Sequence, residues 1–247
     1  MKSTGRRRLL VSLIGGVALP LAAQQYVPKQ SDRPEPASED EPGFKPIFDG
    51  KTLDGWEGDP KYWRVETGAL VGEVTPETLL KSNSFIIWRG GAPQNFELKA
   101  DYRISSNGNS GINYRSTVLP ENKFGMRGYQ ADIDGQNRYT GQNYEERGRL
   151  CLALRGQTTH VVGGRKPIIL SSLGDSKELE SFITADWNSY HLIIRGNILM
   201  HILNGHLMSV VIDDDAANRA FGGLIGVQVH VGPPMKIEYR NFRLKEL

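Results

Sequence analysis

A lone cysteine in 247 residues, Cys151, leaves no internal disulfide, so core packing and hydrogen bonding must hold the fold. Cys151 stands in the apolar run GRLCLALRG, which reads as a buried small hydrophobe rather than a nucleophile. Charge of one sign is also lacking. Lys and Arg total 30 against 28 Asp and Glu, and part of the excess sits at the basic start of the chain. That balance gives no footprint for nucleic acid or for an anionic membrane surface. The apolar run Leu9–Ala23 is too short to span a bilayer, which takes about 20 apolar residues. No serine lies in a G-x-S-x-G setting and no glycine loop is built to cradle phosphate. His160, His191, His201 and His206 show no metal-ligand spacing such as H-E-x-x-H. These absences exclude nucleophile-elbow hydrolases, P-loop proteins and helical zinc proteases.

What stands at the start is an address. Arg6, Arg7 and Arg8 precede the apolar run, and the small residues Ala22 and Ala23 precede a polar change, which is the pattern of an export signal over 1–23 cut after Ala23. Arg6-Arg7-Arg8-Leu9-Leu10 fits a twin-arginine signal and a general secretory one alike. Either route leads to a periplasmic or extracellular protein with no integral anchor after cleavage. Residues 24–43, rich in Pro, Glu, Asp and Ser, read as a flexible linker. Residues 44–247 show no further shift in composition and read as one domain.

That domain is written in short strands. The 28 glycines and 13 prolines suit frequent tight turns better than long helices. FELKADYRI alternates Phe96, Leu98, Ala100, Tyr102 and Ile104 with charged residues, giving a strand with one wet face. YHLIIRGNILMHILNGHLMSVVIDDD reads as three strands joined at Gly196-Asn197 and Asn204-Gly205, dipeptides that accept the positive φ of hairpin turns. One short helix is expected near Ser176–Phe182. Many antiparallel strands without alternating helices predict an all-β, two-sheet antiparallel sandwich.

Three of these strands carry polar side chains on one face. Asn113 and Arg115 oppose Ile112 and Tyr114; Gln130, Asp132 and Asp134 oppose Tyr129, Ala131 and Ile133; Gln228 and His230 oppose Val227, Val229 and Val231. Brought together they would make an amide, carboxylate and imidazole surface suited to paired sugar hydroxyls; separately each is an ordinary solvated face. The loop RYTGQNYEERGR adds Tyr139, Asn143, Tyr144, Glu145, Glu146, Arg147 and Arg149. It can wall a pocket, with Tyr144 stacking on a ring and Glu145 or Glu146 as an acid, or form a charged hairpin tip. Asp213-Asp214-Asp215 reads as a solvated turn, with a calcium site as the alternative. Trp56, Trp63, Trp88 and Trp187 serve either as core aromatics or as sugar platforms.

IFDGKTLDGWEG, YWRVETGALVGE, FELKADYRI, GNSGINYRS, GYQADID, YTGQNYEERGR, DWNSYHLIIRGNILMHILNG and GLIGVQVHVGPPMKIEYRNFRLKEL follow one another from about Ile47 to Leu247. As a set they resemble the 3-keto-disaccharide hydrolase family. The resemblance implies a concanavalin-like jelly roll and cleavage of glycosides whose sugar carries a ketone at carbon three. It also implies a carbohydrate or oxidised glycoside partner. The ketone acidifies the proton on carbon two, so elimination and rehydration need a base, a holder for the enolate oxygen and an acid for the leaving group. His230 or Asp132 is the candidate base, Arg115 or a divalent metal the oxyanion holder, and Glu145 the acid, with Asn113, Arg115, Gln130, Tyr144 and Gln228 binding the sugar. Direct hydrolysis by two carboxylates is the other chemical route. Many relatives carry an acidic residue beside the late-strand His, where this chain reads Gln228-Val229-His230-Val231-Gly232. The rival from another class is a carbohydrate-binding module without catalysis.

Overall fold

The computed structural model describes residues 41–247, so the expected export signal and almost all of the expected linker lie outside the described residues. The early strands are β1 (Lys45–Pro46), β2 (Trp56–Glu57), β3 (Trp63–Glu66), β4 (Ala69–Val74), β5 (Ser84–Trp88) and β6 (Phe96–Ile104). The middle of the chain gives β7 (Asn109–Leu119), β8 (Asn122–Asp134), β9 (Asn143–Glu146), β10 (Leu150–Ala153), β11 (Gln157–Val161) and β12 (Ile168–Ser172). Helix α1 (Ser176–Glu180) follows, and then β13 (Asn188–Arg195), β14 (Ile198–Leu203), β15 (His206–Asp213), β16 (Leu224–Val229) and β17 (Met235–Glu246). One sheet of ten strands runs β12-β11-β15-β14-β13-β6-β17-β4-β3, with β1 beside β17; the other, of seven, runs β10-β9-β8-β7-β16-β5-β2. The pairs are antiparallel except β11 with β15, which run parallel because the chain crosses between sheets after β10. The expected two-sheet jelly roll is therefore borne out, with that one parallel pair as a difference.

Period-two alternation builds the core. Leu98, Ala100 and Tyr102 of β6 meet Ile112 and Tyr114 of β7, Tyr129, Ala131 and Ile133 of β8, and Val227 and Val229 of β16, all almost wholly buried between the sheets. The meander turns where the dipeptides stand. Gly196 alone is positive in φ at the first turn, and Asn204 and Gly205 both are at the second, as two-residue hairpins demand. Helix α1 is capped by Asp175, whose carboxylate accepts from the backbone N–H of Lys177 and Glu178.

Two expectations fail here for identifiable reasons. The Asp213–Asp215 segment is not a solvated turn: Asp213 and Asp215 are buried around Arg149, which also pairs with Glu145. Tyr129 donates its hydroxyl to Asp213 in the same cluster, at 2.6 Å. Nor does polar alternation survive along β7. Arg115 and Ser116 together oppose Gly128, a bulge in which Arg115 takes φ 45° and Gly128 φ 148°.

Candidate functional site

The face of the seven-stranded sheet turned away from the core carries the candidate residues. Register alone aligns them. Asn113 of β7 lies beside Gln130 of β8, which lies beside Tyr144 of β9; the next row places Gly111 beside Asp132. Gln228 follows on β16, where Gly226 pairs with Asn113. Gln130, Asp132, Tyr144, Gln228 and His230 line a cleft of about 390 Å³, together with Asn109, Tyr139, Gln142 and Glu146. That is toward the small end of the roughly 300–1,000 Å³ usual for ligand pockets.

Glycine shapes the floor. A Cβ on Gly111 would stand 2.6 Å from the Gln130 side chain, so the bare backbone lets that amide lie across β7 between Asp132 and Gln228. Asn113 Oδ1, Gln130 Nε2 and Gln228 Nε2 are buried and have no hydrogen-bond partner in the protein. Buried amides of this kind are rarely left unpaired, and of the three Gln130 and Gln228 line the cleft, where their donors suit an oxygen-rich ligand.

Asp132 is the distinctive acid. Burial, opposed by the Gln142 amide that donates to its Oδ2 and reinforced by the charges of Glu146 and Asp134, pushes it up to about 8. Tyr144 is raised by burial and by the same two carboxyls, Glu146 and Asp132, which places all three around one space. Asp134 takes no part in the opening. It accepts from the backbone N–H of Tyr139 and Thr140 and so folds the loop that presents Tyr139 and Gln142. Gln142 is held from below as well, since the buried imidazole of His201 meets its backbone carbonyl through Nδ1 at 3.3 Å. His201 is kept neutral, its pKa pushed down to about 3 by burial, and its Nε2 accepts the Tyr114 hydroxyl at 2.9 Å.

His230 follows β16, and its Nδ1 bonds the Val231 carbonyl at 2.6 Å, which in the neutral ring leaves Nε2 as the acceptor nitrogen. Asn83 ties this turn to the opposite wall: its Oδ1 accepts from Val231 N–H and its Nδ2 donates to Glu146.

Two expected site residues lie elsewhere. The bulge sends Arg115 away from the cleft, 2% exposed, to donate to the backbone carbonyls of Gln94, Gly196 and Ala220. It is a clamp between loops and holds no oxyanion. Glu145 pairs in register with Tyr129, whose side chain faces the core, and its carboxylate accepts from Arg149 Nε at 2.6 Å. Glu146, one residue on, is the carboxyl that reaches the cleft. Asn113 lies under the floor without lining the opening. None of the four tryptophans lines it either. Among the described residues no three His, Cys, Asp or Glu side chains are grouped to hold a metal ion.

A larger cavity, about 750 Å³, opens at the sheet edges along β10 and β12, walled mainly by aliphatic side chains such as Leu150, Leu152 and Ile169. Cys151 also borders it, and burial pushes this thiol up to about 11, which keeps it protonated and unreactive. Among the described residues its lining carries no histidine, and its one carboxyl, Asp215, is bound by Arg149.

A jelly-roll sandwich with a polar cleft on one sheet belongs to a broad structural class. It is similar to a Parabacteroides distasonis protein provisionally named a glycosyl hydrolase, with TM-score 0.55 and 18% identity over 90% of this chain and 98% of that one. It is also similar to the carbohydrate-binding module CBM66 from Bacillus subtilis, with TM-score 0.51 and 14% identity over 78% of this chain and 96% of the module. Within that class the chain belongs to the 3-keto-alpha-glucoside-1,2-lyase-like domain family, whose sequence profile matches residues 43–245. A curated 3-keto-disaccharide hydrolase of Bacteroides thetaiotaomicron is 35% identical over 82 residues, 30% of this chain. The match spans only 28% of that relative's length.

Proposed function

We propose that the protein cleaves the glycosidic bond of a 3-keto-glycoside by elimination and rehydration in the cleft of Asp132, Glu146 and His230. The observation that carries this reading is the pairing of a protonated carboxylic acid with an imidazole whose Nε2 is left as an acceptor. An acid that stays protonated near neutrality suits the donor's part better than the base's, so Asp132 is assigned as acid and His230 as base. His230 removes the carbon-two proton; the electron pair forms the enolate of the carbon-three ketone. The enolate collapses to a carbon–carbon double bond between carbons one and two as the carbon-one oxygen leaves, taking the proton of Asp132. Water then adds at carbon one, giving a proton to the Asp132 carboxylate, as His230 returns its proton to carbon two, so the sum is hydrolysis.

With Arg115 committed elsewhere, the unpaired amide donors of Gln130 and Gln228 are the groups to receive the enolate oxygen. Burial keeps Asp132 protonated with Glu146 adding to the effect, and Tyr144 and Tyr139 supply ring faces for the sugar. Export belongs to the same proposal, resting on the basic and apolar start of the chain; mass spectrometry should find a mature start at Gln24.

The test is incubation of the purified mature chain with 3-keto-glucosides and their unoxidised parents, reading released aglycone. Release from the keto forms alone is expected, falling about 10²–10⁴-fold in His230→Ala. Glycan binding with no release from any keto-glucoside would instead favour a binding module.

A further inference from the structure

The cleft carries a charge pattern that bears on which sugars it admits. Two carboxyls, Asp132 and Glu146, stand in its wall with His230, and its other lining groups are amides, from Asn109, Gln130, Gln142 and Gln228, and the phenols of two tyrosines. Among the described residues that line it there is no lysine or arginine. Four arginines of neighbouring segments are bound to other partners, and Arg147, next to Glu146 in the chain, is exposed and does not line the cleft. Arg149 is held by Glu145, Asp213 and Asp215, and Arg155 donates to the carbonyls of Asn137 and Thr140 and to Glu180. Arg138 sits on the solvent side of Asp134, 3.7 Å from its carboxylate, and Arg115 is locked onto backbone carbonyls. Glu146 and Asp132 are 8% and 9% exposed, so solvent does little to screen them from a ligand.

We propose that the cleft selects an electrically neutral sugar ring and excludes carboxylated, sulfated or phosphorylated ones through the carboxylate of Glu146. The proposal rests on the reading of this cleft as a sugar site and names its substrate class. Amides suit a neutral ring because each both donates and accepts, as a hydroxyl does. An anionic substituent would meet no fixed positive charge and would lie against at least one carboxylate in a poorly hydrated space, where like charges repel strongly.

The test compares binding of methyl glucosides and methyl glucuronosides, in both anomers and in both 3-keto and parent forms, to the full chain and to Glu146→Gln and Asp132→Asn. Circular dichroism checks that each variant is folded. The neutral ligand should bind the unaltered protein at least about 100-fold more tightly than its uronate counterpart. Glu146→Gln should narrow that gap by about tenfold or more by removing the like charge, whereas Asp132→Asn, at a carboxyl that already carries its proton, should leave the gap largely as it is. Equal binding of the uronate, a gap unchanged in folded Glu146→Gln, or no binding of any neutral sugar would overturn the proposal. Failure to cleave keto-glucosides while the gap stands would remove the proposed chemistry and leave this selectivity intact.

Discussion

At the scale of the residue, parity along a strand decides function. Tyr144 and Glu146 share a face of β9, and Glu145 takes the other, where Arg149 binds it. That distinction was open to sequence reasoning, because a role for Tyr144 in the cleft implies Glu146 and not Glu145 as its neighbour. Gln130, Asp132, Gln228 and His230 were legible for the same reason. Arg115 was not, since nothing local announces that two residues will face one. Its guanidinium now satisfies three backbone carbonyls, so Arg115→Ala should cost roughly 3 kcal/mol or more in a denaturant-unfolding measurement, by stranding those acceptors. The same change should act on activity only through stability. Asp132 behaves differently: the turnover of keto-glucosides should decline as pH rises past about 8, where the acid loses its proton, and Asp132→Asn should abolish most turnover at every pH. A pH–rate profile that stays level through that region would contradict its role as acid.

At the scale of the element, the bulge in β7 and the glycines around it separate folding from binding. A Cβ on Gly128, at φ 148°, would stand 2.3 Å from Ser116 Oγ and 2.7 Å from Ser116 Cα, so both the dihedral and the backbone resist it. Gly128→Ala should therefore lower stability by about 2 kcal/mol or more, read as a fall in melting temperature. Gly111 lacks the positive φ of Gly128, and the three atoms nearest its added Cβ all belong to the Gln130 side chain, which can turn aside. Gly111→Ala should leave the melting temperature much closer to that of the unaltered chain and weaken sugar binding by about tenfold, in calorimetry, by displacing a floor amide. The hairpin turns and α1 were readable because Gly, Asn and Asp act locally. The parallel β11–β15 pair and the strap from Asn83 to Val231 and Glu146 were not: both depend on contacts between distant parts of the chain.

At the scale of the whole molecule, two buried groups with opposite displacements contribute opposing responses of stability to pH. Asp132 lies on the outer face of one sheet, pushed up to about 8 chiefly by burial; His201 lies between the sheets, pushed down to about 3 by burial. For Asp132 the folded chain keeps a proton that the unfolded chain gives up above about 4, so its contribution to stability falls as pH rises from about 4 to about 8. For His201 the unfolded chain takes up a proton below about 6.5 that the folded chain refuses, so stability falls as pH drops from about 6.5 to about 3. Between about 4 and 6.5 the two slopes oppose each other and nearly cancel. Their joint contribution is thus a plateau that declines on the alkaline side through Asp132 and on the acid side through His201. Melting temperatures across this range should show each slope removed separately. Asp132→Asn should abolish the decline between about pH 6.5 and 8, and His201→Gln should lessen the decline below about pH 4, whatever its absolute cost in packing. A decline above pH 6.5 that survives unchanged in Asp132→Asn would show that burial in the cleft does not hold that carboxyl protonated, and the assignment of Asp132 as acid would fall with it.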